Sequence, residues 1–145
     1  MKRKKINFSK LVRIMKKLLG PNGCPWDKKQ THRSIFKCLL KEVKEFERAV
    51  IKNDYENMKE ELGDILLCVV FHSELASKEG YFSISDVIDT LNEKLIRRHP
   101  HVFGGLKVKN VSDVVKNWVR IKKLEKKGYR YGYCKKDCKD NFSPL

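Results

Sequence analysis

Several things are missing from this sequence, and each absence removes a class of protein. No segment alternates apolar and polar residues as a half-buried strand does, no glycine-rich loop is present to cradle phosphates, and no internal repeat is visible. The longest apolar run, Ile65 to Phe71, falls far short of the roughly 20 residues a membrane-spanning helix needs. The basic opening MKRKKINF has no apolar segment behind it, so it does not read as an export signal, and a cytoplasmic protein is expected. Acids are scarce: 18 against 33 Lys and Arg, a net charge of +15. That balance favours anionic partners (nucleotides, nucleic acid or an anionic membrane surface), or else reflects a lysine-biased, solvated surface. The 5 cysteines are an odd number, and Cys38 and Cys68 fall in apolar helical patterns, which suits reduced thiols better than a disulfide framework. Cys134 and Cys138, four apart in a basic tail, lack the second pair that a closed zinc site requires.

What is present is helical periodicity. Residues 9–19 carry Leu11, Met15, Leu18 and Leu19 at helical spacing and stop at Gly20-Pro21. The stretch PNGCPWDKKQTH reads as a loop. Thr31 is placed to cap a helix over 32–52 with the stripe Ile35, Phe36, Leu39, Leu40, Val43, Phe46 and Val50. Asp54 caps the next, over 55–78. There Ile65 to Phe71 are apolar on every face, which implies enclosure on all sides and, in so small a domain, a partner subunit. Ser83 and Asp86 form a capping-box pattern before a helix over 84–98. RRHPHVFGG reads as a loop, and Ser112 opens a last helix that runs to about Lys127. The expectation is an all-α bundle of about five helices over residues 1–128, with a loose basic tail over 129–145.

Two acid pairs stand out against the basic background. Glu42 and Glu45, and Glu61 and Asp64, are each three apart, so each pair projects from one helix face beside an apolar stripe. Antiparallel packing of the two helices would let the pairs face one another, and four converging carboxylates call for a hard divalent cation such as Mg²⁺. The plainer alternative is solvated salt bridges on a lysine-rich helix. Gly63, inside the same helix, favours the metal, because a mid-helix glycine costs roughly 1 kcal/mol unless close packing or a ligand needs the space. Downstream, Lys94 and Arg98 share a helix face, as do Trp118 and Lys122. Cations in this setting suit a polyphosphate. Trp118 either stacks on a base or fills the core; His72 reads as a core residue with its hydrogen bonds met, and His99 and His101 as loop residues.

The segments GCPWDKKQTH, KEVKE, EELGDILLCVVFH, NEKLIRRHPHVF and NWVRIKKLEK, taken in order over residues 9–127, resemble the MazG family of nucleotide pyrophosphohydrolases. The resemblance implies an all-α nucleotide pyrophosphatase fold, usually dimeric, that hydrolyses a nucleoside triphosphate to the monophosphate and pyrophosphate. Carried over by position, Glu42, Glu45, Glu61 and Asp64 are the Mg²⁺ ligands and catalytic acids, and Lys94, Arg98, Trp118 and Lys122 bind the nucleotide. Glu42 or Glu45 is also placed to accept a proton from the attacking water. Two departures bear on this. Lys41 stands where the family's EExxE signature has its first glutamate, and one such domain is present where many members carry two. The rival readings are a nucleotide-binding regulatory domain without catalysis and, less favoured, a basic helical module for nucleic acid, since no groove-reading motif accompanies the charge.

Overall fold

The structure, a computed structural model, describes residues 7–128. The expected tail over 129–145, with Cys134, Cys138 and its run of tyrosines and lysines, lies outside the described residues. Every regular element among those described is a helix: α1 (Phe8–Leu19), α2 (Pro25–Lys28), α3 (His32–Ile51), α4 (Tyr55–Lys78), α5 (Ile84–Arg98), α6 (Pro100–Phe103) and α7 (Val111–Lys126). The five long helices sit where periodicity places them. The two extra ones are single turns of four residues, each begun by a proline at its first position, inside segments that read as loops. The described residues divide into two compact units that meet in the chain between Val87 and Ile88.

In the first unit the capping chemistry is local and complete. Thr31 Oγ1 accepts from the Ser34 amide at 3.3 Å while Ser34 Oγ accepts from the Thr31 amide at 2.9 Å, a reciprocal box that starts α3. Asp54 accepts from the Asn57 amide at 3.2 Å and starts α4. Only a short turn separates them, with Asn53 in the left-handed region at φ 53°. The helices therefore run antiparallel and form the most extensively packed pair in the unit. His32, at the start of α3, meets His72, near the end of α4, with Nδ1 atoms 2.8 Å apart.

Helix α1 closes one end of the pair. Met15 and Leu19 are buried against Ile35, Cys68, Val70 and Phe71, and Phe8, Leu11, Leu39, Leu75 and Ile84 pack around them. Truncating Met15 or Leu19 to alanine would cost about 2–5 kcal/mol. Lys78 Nζ donates to the Leu19 carbonyl and ties the end of α4 to the end of α1. The chain then turns through Gly23, where an added Cβ would fall inside the Leu18 carbonyl group and 2.6 Å from Lys17 O. Only glycine fits, and the turn is locked by the Cys24 amide donating to Leu18 O at 2.8 Å. This turn carries Trp26 and Asp27 on α2.

Within one chain the apolar segment Ile65–Phe71 is enclosed on one side. Cys68, Val70 and Phe71 are buried, whereas Leu66 and Leu67 are exposed. Phe36 (52%) and Leu40 (47%) on α3 and Leu62 (51%) on α4 are exposed as well.

In the second unit, α5 passes through His99 into α6, whose Pro100 carbonyl accepts from the amides of Gly104 at 2.9 Å and Leu106 at 3.0 Å. The cap of helix α7 lies two residues before the expected one. Asn110, not Ser112, takes that role, accepting from the Asp113 amide at 3.0 Å, while Asp113 accepts from the Lys109 amide at 3.1 Å. Asn and Ser are near-equal caps, so the asparagine that can pair with an acid at the third helical position prevails. Ile121 is the buried anchor of α7.

Candidate active site

The acids on α3 and α4 meet because the helices are antiparallel. Glu42, Glu45 and Glu61 each offer a carboxylate oxygen, and the three oxygens lie within 4.8 Å of one another. Asp64, one turn along α4, stands outside that trio. It lines, with Glu42, a neighbouring cavity of about 310 Å³. Convergence at this range is electrostatically costly, and the local pattern shows how it is distributed. Loss of water first, then the charges of Glu45 and Glu42, push the Glu61 carboxyl above its usual range. Its Oε2 is buried with no hydrogen-bond partner. Glu45 is held below the usual range by the Lys41 ammonium bonded to it.

Lys41 is thus neither free in solvent nor aimed elsewhere: its Nζ lies 3.0 Å from Glu45 Oε2 and 3.4 Å from Glu42 Oε1. Arg48 adds a contact to Glu45 Oε1 at 3.3 Å. Both cations are well exposed, so their attraction is screened, and neither reaches Glu61. The donor set is three carboxylates with an unpartnered buried oxygen, all hard ligands, and it fits a divalent cation of the Mg²⁺ type. The close-packing reason for Gly63 does not hold: an added Cβ would meet nothing within 4 Å.

The cations expected to bind nucleotide gather in the second unit. Lys94, Arg98 and Lys122 line a cavity of about 390 Å³ together with Arg97, Lys126, Glu93 and Glu125. Glu125 organises it. Arg97 Nε donates to Glu125 Oε1 at 2.8 Å, and Arg98 Nη2 donates to Oε2 at 2.7 Å. Hydrogen bonds from Arg98, then from Arg97, keep the Glu125 carboxyl below its usual range despite some loss of water. Trp118 is half-exposed rather than core. Lys122 Nζ lies 4.4 Å and Arg98 Cζ 5.6 Å from its ring centre, so the indole supports the cations that line the cavity. Sequence reasoning missed Arg97, Lys126 and Glu125. The last was legible as an acid three residues beyond Lys122, but its pairing with arginines 27 and 28 positions away was not.

Two histidines differ from expectation, His101 because it lies on the single turn α6 rather than in a loop. His72 is half-buried rather than core, and stacks on His32 with ring centres 5.1 Å apart. Burial, then the neighbouring His32, holds it below the usual histidine range. His99 Nδ1 lies 2.6 Å from Leu95 O.

Residues 30–103 match the MazG nucleotide pyrophosphohydrolase domain. The chain belongs to the MazG family. All four acids, Lys94 and Arg98 lie inside the matched segment; Trp118 and Lys122 lie beyond it. Among curated MazG-like relatives, the chain is 52% identical over 126 residues to the nucleoside triphosphate pyrophosphohydrolase/pyrophosphatase MazG of Thermotoga maritima, covering 87% of this chain and 48% of that protein. It is 42% identical over 120 residues to the nucleoside triphosphate pyrophosphohydrolase of Escherichia coli K12, covering 82% of this chain and 46% of that one. It is 50% identical over 119 residues to the uncharacterized protein YabN of Bacillus subtilis, covering 82% of this chain and 24% of that one. The chain thus spans at most about half the length of these relatives. A crystal structure of a mazG-related protein from Thermotoga maritima shares the fold, with a TM-score of 0.68 and 29% identity over 79% of this chain and 98% of that one.

Proposed function

We propose that this MazG domain hydrolyses nucleoside triphosphates between the α and β phosphates, releasing the monophosphate and pyrophosphate, with Mg²⁺ as cofactor. The observation that carries this reading is the convergence of Glu42, Glu45 and Glu61 with an unpartnered buried oxygen on Glu61. Those three would hold the metal, with Asp64 beside them as the fourth acid. Bound Mg²⁺ supplies charge neutralisation on the phosphate oxygens and a more acidic water. Glu42 or Glu45 would take the proton from that water. Lys94, Arg98 and Lys122 offer the donors a polyphosphate needs, and Trp118 holds the last two in place.

The proposal includes a homodimer, supported by the exposed apolar surface of Phe36, Leu40, Leu62 and Leu66, large residues that a second copy would cover. It also places the protein in the cytosol, supported by free thiols at Cys24, Cys38 and Cys68. The test is product identification: incubation with triphosphates and Mg²⁺ should yield monophosphate and pyrophosphate. Diphosphate plus orthophosphate would contradict it.

One observation favours a second reading. The Lys41 ammonium already bonds two of the three converging acids, so it competes with a metal for them. A domain in which Lys41 wins would bind nucleotide without turning it over, and the same assay would return intact substrate.

A further inference from the structure

Arg97 and Arg98 are consecutive residues at the end of α5, and consecutive side chains leave a helix about 100° apart. The helix alone would splay their guanidiniums, yet both end on one carboxylate from α7. Arg97 reaches Glu125 Oε1 through Nε and Nη2, both at 2.8 Å, and Arg98 reaches Oε2 through Nε at 3.2 Å and Nη2 at 2.7 Å. Each guanidinium therefore gives Glu125 its Nε–Nη2 edge and leaves Nη1 available to another anion. Among the described residues no other acid bonds either arginine. We propose that Glu125 is a positioning residue for the substrate: it gathers Arg97 and Arg98 into a fixed pair of donors for the phosphate chain.

This rests on the proposed hydrolysis of triphosphates, in which Lys94, Arg98 and Lys122 receive the phosphates. Two effects of opposite sign then compete at Glu125. Cations outnumber acids around the cavity, with Lys94, Arg97, Arg98, Lys122 and Lys126 against Glu93 and Glu125, so by charge alone Glu125 weakens the hold on an anion. By order it strengthens that hold, because two long side chains already in place give up little freedom when a phosphate arrives. Order prevails here. The Glu125 charge is matched by two guanidiniums at hydrogen-bond distance, so little of it is left to repel a phosphate. Glu125 is 14% exposed and the arginines 20% and 19%, so water and salt loosen these bonds less than they would at an open surface.

The experiment measures KM and kcat for ATP under Mg²⁺ and, in metal-free buffer, the affinity for inorganic tripolyphosphate by calorimetry. Glu125→Ala should raise KM about tenfold with kcat little changed, and should weaken tripolyphosphate about equally although it makes the cavity more positive. Glu125→Asp, which keeps a charged pair of acceptor oxygens on a shorter stem, should recover part of the loss. In an Arg97→Ala background, Glu125→Ala should weaken tripolyphosphate by only about threefold, because one of the side chains it holds is already gone. Should the alanine variant lose its helical signal, Glu125→Gln replaces it and is expected to move both constants in the same direction. Unchanged or tighter tripolyphosphate binding by the folded variant overturns the proposal, as does an equal loss with and without Arg97, which would make Glu125 merely structural. A parent that cleaves no ATP, but whose hold on tripolyphosphate still depends on Glu125, refutes the proposed hydrolysis and leaves the positioning role standing. A cleaving parent with an indifferent Glu125→Ala removes only the positioning role.

Discussion

The acid cluster on α3 and α4 and the cation-lined cavity beside α7 handle charge in opposite ways. In the cavity, each unit of Glu125 charge is met by arginine at hydrogen-bond distance, and Trp118 backs the remaining cations. That arrangement is internally satisfied and contributes to stability. In the cluster, Lys41 and Arg48 attend to Glu45 and Glu42 from the solvent side, and Glu61 keeps a buried oxygen without a partner. That arrangement opposes stability, and under the proposed function a bound cation would relieve it. The contrast separates charge that is paired within the fold from charge that is left partly unpaired, as the proposed metal site requires.

If this distinction is right, mutations in the two regions should have effects of opposite character. The largest is expected from Glu61→Gln, which should cut turnover by about a thousandfold. In metal-free buffer its melting temperature should equal or exceed that of the parent, because the repulsion with Glu42 and Glu45 is gone; a lower melting temperature with lost helical signal would mean that Glu61 supports the fold. Lys41→Glu should come next, strengthening Mg²⁺ binding by about tenfold in calorimetry as a competing cation becomes a further ligand. Weaker binding would show that Lys41 assists the site instead of occupying it.

Glu125→Gln should do the reverse of Glu61→Gln and destabilise the protein by about 1–2 kcal/mol near neutral pH. The sign of its pH dependence follows from the depressed Glu125 carboxyl: the native state binds the proton less readily than the unfolded state. Its stabilising contribution is therefore complete above the ordinary carboxylate value of about 4.3 and is lost as pH falls through the depressed one. Denaturation midpoints of parent and variant should converge as pH falls through that depressed value. The smallest effect is Gly63→Ala, which should add up to about 1 kcal/mol, since a mid-helix glycine is replaced where nothing in the chain obstructs a methyl group. A gain in stability with a loss of activity or self-association would mark the open space at 63 as belonging to substrate or to a second copy.

Much of this architecture is legible in local patterns. Thr31, Asp54 and Ser83 announce helix starts because capping is settled within three residues, and the stripes on α3 and α4 announce a packed pair because burial follows the helical period. Helices α2 and α6 escape notice because one turn has no period, and the same Pro25 and Pro100 that signal a loop also suit a helix start. The i,i+3 spacing assigns each acid pair to a face, but it does not say which three of the four oxygens converge. That depends on the rotation of α4 against α3, which brings Glu61 into the trio and turns Asp64 toward the cavity lined by Trp26.

Helix content, caps and the acid-bearing faces are properties of contiguous residues, and periodicity and short-range hydrogen bonds dictate them before any tertiary contact forms. The partners of Glu125, the meeting of His32 with His72 and the cavity between Glu42 and Trp26 join residues from 16 to 40 positions apart. Such pairings are selected by how helices pack within each unit, which in the first unit the burial of Met15, Leu19 and Phe71 decides collectively, and no local pattern encodes it.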